Sequence, residues 1–213
     1  MVELYYIKNG KENFDEISER EKTFLPYYEL NKISCFKQKK DRTLHFLSKW
    51  MLHQFIQKEG FADNIIQKIS YDRFQKPFLS NFPYHFSFSH SGDIAVLAIS
   101  PTAKIGIDIE QIPSNQLKVV PDIFSEQEKE KMLKNNNITN YFFHVWTAKE
   151  SIIKALGKGF DLNFKEMNIE TDRVMWQNYQ WHLKAFSIHK DYVCHLATDK
   201  KIEVYNVQEM CYN

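Results

Sequence analysis

Apolar residues recur at helical spacing across residues 42–56. Leu44, Leu47, Trp50, Met51 and Phe55 share one face, while Ser48, Lys49 and Gln54 fall elsewhere. The spacing predicts a helix with one buried face, preceded by a short cationic cluster of Lys37, Lys39, Lys40 and Arg42. Ser125, followed three residues later by Glu128, gives a capping-box start to a second helix over 125–133. The polar run Lys134-Asn135-Asn136-Asn137 closes it. A longer helix is predicted over 140–156, stopped by Gly157-Lys158-Gly159. Strand patterns lie between and after these helices. Phe86 and Phe88 alternate with Ser87 and Ser89, and residues 94–99 are unbroken apolar, as in a strand covered on both faces. With Ser91-Gly92-Asp93 between them they read as a hairpin, entered from a turn-like stretch over 75–83 that holds two prolines. Pro101-Thr102-Ala103-Lys104 crosses to a short strand over 105–110. Three more strands are predicted over 181–186, 192–197 and 202–207. Each half is thus a helix followed by strands, a duplicated α+β layout without a sequence repeat.

Composition narrows the functions this layout can serve. Against 27 acidic residues stand 28 Lys and Arg, so the net charge is +1 and no global field draws nucleic acid or an anionic membrane. Phosphate binding has to come from local clusters. Aromatics reach 15% but are not interleaved with an extended basic patch, so they read as core. Cys35, Cys194 and Cys211 fit neither a disulfide framework nor a zinc knuckle. No apolar run is long enough to span a bilayer, and Met1-Val2-Glu3-Leu4 lacks a signal-peptide layout. The expected compartment is the cytoplasm.

The candidate chemistry starts at Asp108 and Glu110. Two apart on a strand, they share one face, while Ile107 and Ile109 turn to the core. Gly106 leaves the backbone bare beside them. An edge strand with a wet acidic face would look the same. On the helix over 140–156, Trp146, Glu150 and Lys154 are spaced four apart. A packed Trp146 beside a Glu150–Lys154 pair accounts for them structurally, but such a pair contributes only about 0.3 kcal/mol. Joined to Asp108 and Glu110, Glu150 completes three carboxylates, an all-oxygen set suited to magnesium. Lys149 and Lys154 would neutralise phosphate oxygens. His90, between Ser89 and Ser91, would donate to a phosphate. A hydrolase using Ser89 or Ser91 is disfavoured, because the spacing fits no nucleophile elbow.

Phe86-Ser87-Phe88-Ser89-His90-Ser91, Gly106-Ile107-Asp108-Ile109-Glu110 and Trp146-Thr147-Ala148-Lys149-Glu150-Ser151-Ile152-Ile153-Lys154 occur in that order. Together they resemble the three signature blocks of the 4′-phosphopantetheinyl transferases of surfactin-synthetase-activating type. The resemblance covers nearly the whole chain. It implies an α+β pseudo-dimer of two similar lobes, each a helix packed on a mainly antiparallel sheet. The lobes are expected at 1–103 and 104–213, the last strand returning to the first lobe.

It also implies transfer of the phosphopantetheine arm of coenzyme A to a serine of an acyl or peptidyl carrier protein. Asp108, Glu110 and Glu150 would hold Mg2+. Glu150 would activate the serine, and Lys154 and His90 would bind the pyrophosphate. Ser89 resembles the partner of His90. Lys76-Pro77 resembles a Gly-Lys-Pro element, with Gln75 replacing the glycine. Arg42 resembles the arginine near the 3′-phosphate, with Lys39 a supporting candidate, and Lys149 and Lys158 are further phosphate candidates. Ser87 stands where many members carry asparagine. The type implies a monomer tied to nonribosomal-peptide, polyketide or antibiotic pathways, with no membrane or nucleic-acid partner. Another magnesium-dependent coenzyme A or nucleotide phosphotransferase, and a non-catalytic carrier-binding protein, are the alternatives.

Overall fold

The N-terminal half of the chain builds β1 (Val2–Lys8), α1 (Glu19–Lys22), α2 (Tyr27–Ser34), α3 (Lys39–Lys58), β2 (Ile69–Tyr71), β3 (Pro77–Leu79), β4 (His85–Ser91) and β5 (Ile94–Ser100). The C-terminal half builds β6 (Ile105–Gln111), α4 (Glu126–Leu133), α5 (Ile138–Leu156), β7 (Arg173–Trp176), β8 (Tyr179–Phe186), β9 (Tyr192–Thr198) and β10 (Tyr205–Glu209). These come from a computed structural model that describes residues 1–114, 123–158 and 164–212.

One four-stranded sheet has the order β10-β1-β5-β4, antiparallel except for the parallel β1–β10 pair. The other, β6-β9-β8-β7, is antiparallel throughout. The apolar face of α3 (Leu44, Leu47, Met51, Phe55) packs on Tyr5, Leu97 and Ile99 of the first sheet. Ile152, Ile153 and Ala155 of α5 pack with Ala197 and Trp181 of the second. The fold is therefore α+β, with a helix on a mainly antiparallel sheet in each half. Between the sheets lies a further core in which Val96 and Ala98 meet Ile105, Ile107 and Ile109. This explains the unbroken apolar run in β5. Leu97 and Ile99 face α3 while Val96 and Ala98 face the other sheet, so every residue of the strand is buried.

The helix boundaries follow their caps. Ser125 and Glu128 form the capping box of α4. Asn137 accepts from the Asn140 amide at the start of α5, and Gly157, at φ +70°, ends that helix as the spacing anticipates. Several elements depart from the sequence expectation. Within the stretch read as a turn, Pro77–Leu79 forms a strand on β2, because Pro77 can open a strand without donating to the ladder. Gln75 just before it takes φ +65°, a region that favours glycine. The final strand starts at Tyr205 rather than Ile202, where it comes into register with Val2. β7 carried no clear alternation. It closes on β8 through Gln177 and Asn178, both at positive φ, as a two-residue hairpin turn demands.

β6 is wedged against α5 at Gly106. A Cβ there would lie 2.0 Å from the Ser151 carbonyl oxygen and 2.3 Å from the Ala155 nitrogen. The neighbouring atoms are all α5 backbone, so no side chain can swing away. Gly106→Ala is expected to destabilise the fold by about 3 kcal/mol through overpacking. A thermal melt unchanged from wild type would contradict this close approach.

Candidate functional site

β6 presents Asp108 and Glu110 on one face, and α5 turns Trp146, Glu150 and Lys154 toward the same place. With Lys76, Ser89 and His90 they line a cleft of about 570 Å³ between the two halves of the chain. The Lys154 ammonium lies 2.6 Å from Asp108 Oδ1 and 3.0 Å from Ser89 Oγ. It therefore pairs across the cleft rather than with Glu150 along its own helix. Ser89 donates to the same Asp108 oxygen at 2.8 Å. Asp108 Oδ2 and Glu150 Oε1 are buried without a hydrogen-bond partner.

Burial, and after it the crowding of acids, sets the electrostatics. Burial, then repulsion from Asp108 and Glu110, pushes Glu150 up to about 7, with Lys154 opposing. Burial also raises Glu110, against a hydrogen bond from Ser91. Folded Glu150 holds its proton to higher pH than the unfolded chain does. Its ionisation therefore opposes folding as pH rises from the ordinary carboxylate range through about 7. Glu150→Gln is accordingly expected to raise the melting temperature at pH 8 and leave it nearly unchanged at pH 4.5. An equal shift at both values would contradict the charge origin.

The donor chemistry fits a hard divalent cation. Asp108, Glu110 and Glu150 line the same cleft, and two of their buried oxygens lack partners. Among the described residues no three His, Cys, Asp or Glu side chains are gathered as a ready metal cage. Lys154 sits on one of the donors, at Asp108 Oδ1.

His90 lies opposite His45, with their Nε2 atoms 3.1 Å apart, and His45 stacks on Phe36. Burial, then the charges of Lys154 and Lys49, lowers His90 to about 4, so the ring is neutral at pH 7. A phosphate oxygen beside it would favour the protonated form. Lys76 Nζ donates to the Ala155 carbonyl at the end of α5 at 2.9 Å. Its turn is fixed by Asp72, which accepts from the amides of Phe74 and Lys76. Burial lowers Lys76 to about 8. Trp146 is half-buried, parallel to Phe142 and Phe164, and exposes part of its ring to the cleft.

Four cationic expectations need correction. Lys149 is fully buried and turned away from the cleft. Its ammonium is consumed by Glu128 at 2.6 Å and by the carbonyls of Ile123 and Phe164, both at 3.0 Å. Successive helical residues are rotated by about 100°, so a lysine adjacent to Glu150 cannot share its face. Arg42 forms a bidentate pair with Asp15 and donates to the Phe36 carbonyl. Neither it nor Lys39 lines the cleft. Lys158 is exposed and also outside the lining, and Gly159 lies outside the described residues.

In their place the cleft holds residues the sequence reading passed over. His45, Ser48 and Lys49 form a polar stripe on α3. Lys49 is buried 3.4 Å from Glu29, which accepts from the Tyr71 hydroxyl at 2.6 Å, and Lys32 lies over the Tyr71 ring. The signal was available: a histidine and a lysine four apart on a helix already known to bury its neighbouring face. The cleft thus has one end lined by Lys32, a neutral His45 and the Lys49–Glu29 pair, and an acidic end at Asp108, Glu110 and Glu150.

A family model described as the 4′-phosphopantetheinyl transferase superfamily matches residues 104–203. The chain is 29% identical over 171 residues to the 4′-phosphopantetheinyl transferase Sfp of Bacillus subtilis (strain 168), covering 79% of this chain and 76% of that one. It is 32% identical over 155 residues to the 4′-phosphopantetheinyl transferase gsp of Aneurinibacillus migulanus, covering 66% and 64%. To the 4′-phosphopantetheinyl transferase ffp of Bacillus subtilis it is 26% identical over 191 residues, covering 87% and 85%.

Proposed function

We propose that the chain is a 4′-phosphopantetheinyl transferase of surfactin-synthetase-activating type, as its family-model match and its similarity to three such transferases support, and that it transfers 4′-phosphopantetheine from coenzyme A to the acceptor serine of an acyl or peptidyl carrier protein, releasing adenosine 3′,5′-bisphosphate. The observation that carries this reading is the convergence of Asp108, Glu110, Glu150 and Lys154 with Ser89 and His90 on one cleft. The two lobes, 1–103 and 104–213, are part of the proposal, as are a monomeric state and a cytoplasmic location. Among the described residues no helix is long and apolar enough to cross a membrane.

In this reading Asp108, Glu110 and Glu150 hold Mg2+. The ion supplies charge neutralisation for the pyrophosphate oxygens of the donor. Lys154 would offset charge on the same oxygens, and His90 would donate a ring N–H to them. Glu150, on the cleft wall beside the cation site, would accept the proton of the serine hydroxyl as that oxygen attacks the β-phosphorus. The broken bond is the pyrophosphate P–O bond, and the bisphosphate leaves with its electron pair. No covalent enzyme intermediate is required. The 3′-phosphate end of the donor is assigned to the end of the cleft that holds Lys32, with His45 and Lys49 beside it. Acceptors from fatty-acid, polyketide and nonribosomal-peptide pathways all present the same serine chemistry.

The test is release of adenosine 3′,5′-bisphosphate, followed by chromatography, from coenzyme A and Mg2+ in the presence of an apo-carrier. Release that needs the acceptor serine and stops with chelator is expected. Release without any carrier would favour a different phosphotransferase. Tight coenzyme A binding without release across all three carrier types would favour a non-catalytic role.

A further inference from the structure

The outer strands of the two sheets, β4 and β6, run beside each other without a main-chain ladder between them among the described residues. Their backbones are bridged by side chains. Ser87 Oγ accepts from the Ile107 amide at 3.2 Å, Ser89 Oγ from the Ile109 amide at 3.3 Å, and Ser91 Oγ from the Gln111 amide at 3.0 Å. The offset is 20 residues at every rung. Two of the hydroxyls also donate, each to the side chain one residue back. Ser89 reaches Asp108 Oδ1 at 2.8 Å, and Ser91 reaches Glu110 Oε2 at 2.7 Å. At the remaining rung, the equivalent position is Gly106, which has no side chain to receive the proton of Ser87.

A hydroxyl carries one donor and two acceptor sites, so one serine can serve an amide and a carboxylate together. The amides need it. β6 is the outermost strand of its sheet, and Ile107 and Ile109 are fully buried. A buried amide without an acceptor is costly. Serine carbonyls in a regular ladder would satisfy those amides but could not donate to a carboxylate. The side-chain rung does both.

We propose that Ser87, Ser89 and Ser91 form a hydroxyl ladder that joins the two sheets edge to edge and sets the carboxylates of Asp108 and Glu110 in register with His90, with Ser91 acting as the positioning residue for Glu110. The ladder itself stands on hydrogen-bond geometry. Only its consequence for cation binding rests on the transferase reading.

Two measurements on the full chain test it. The first is amide hydrogen exchange by NMR. Ser87→Ala removes a rung that holds no carboxylate, and exchange at Ile107 is expected to accelerate by about tenfold or more. Unchanged exchange at Ile107 would overturn the ladder. The second is titration with Mn2+ in the presence of coenzyme A, followed by the electron-spin signal of the free ion. Ser91→Ala is expected to weaken Mn2+ binding about tenfold, while Ser87→Ala and Ser91→Thr stay within about twofold of wild type. Ser91→Ala with wild-type affinity would overturn the positioning role, as would failure of Ser91→Thr to restore binding in a folded protein. Wild-type protein that binds no Mn2+ would instead count against the metal assignment and against the positioning role derived from it, with exchange at Ile107 still deciding the ladder.

Discussion

Asp108→Asn is expected to leave the chain folded and to lower phosphopantetheinyl transfer by about three orders of magnitude. The substitution preserves volume, so the packing of β6 against α5 is retained. It removes the negative charge that faces Lys154 at 2.6 Å, while the amide oxygen keeps an acceptor for the Ser89 hydroxyl. It also takes away one of three carboxylates assigned to the cation. Because Asp108 repels the charge of Glu150, its loss should additionally bring the pKa of Glu150 down from about 7 toward the ordinary carboxylate range. The pH–rate profile of the residual activity should shift to lower pH accordingly. A variant with full activity, or one whose circular dichroism shows lost structure, would contradict this placement of Asp108.

Lys149→Met carries the largest expected effect on stability. The Lys149–Glu128 pair is completely excluded from solvent. Removing the ammonium leaves Glu128 as an uncompensated buried charge and frees two carbonyls, a loss of about 3–5 kcal/mol. For a chain of this size the melting temperature should fall by roughly 10 °C. The pair also ties distant segments together. Glu128 accepts from the amides of Ser125 and Ile169, while Lys149 holds the carbonyls of Ile123 and Phe164. A phosphate-binding lysine would behave differently: its removal would weaken coenzyme A binding and leave the melt unchanged. The two outcomes separate a structural Lys149 from the ligand role its sequence position suggests.

The legible parts of this protein are those in which one residue's periodicity decides its direction. Asp108 and Glu110 share a face because a strand repeats every two residues, and Glu150 and Lys154 because a helix brings residues four apart together. The apolar stripe of α3 and the doubly covered β5 were readable for the same reason. Residues whose direction depends on tertiary partners were not. Lys49 reads as a solvated helix position until Glu29 on α2 is brought against it. Arg42 reads as a free cation until Asp15, 27 residues earlier in the chain, takes the Nε–Nη2 edge of its guanidinium. β10 reads as a strand, but its starting residue is set by pairing with β1 at the opposite end of the sequence. The serine alternation in β4 was visible, yet its meaning lies in amides 20 residues ahead that no local pattern marks.

The central claim is that the cleft joining Asp108, Glu110, Glu150 and Lys154 to His90 transfers an intact phosphopantetheine arm to a protein serine. The most direct measurement is the intact mass of an apo-peptidyl carrier protein after incubation with this chain, coenzyme A and Mg2+, beside apo-acyl carriers of fatty-acid and polyketide type. The expected result is a gain of one phosphopantetheine on at least one carrier, abolished by chelator, by replacement of the acceptor serine and by Asp108→Asn in this chain. Unchanged mass on every carrier, from a folded protein that binds coenzyme A, would contradict it.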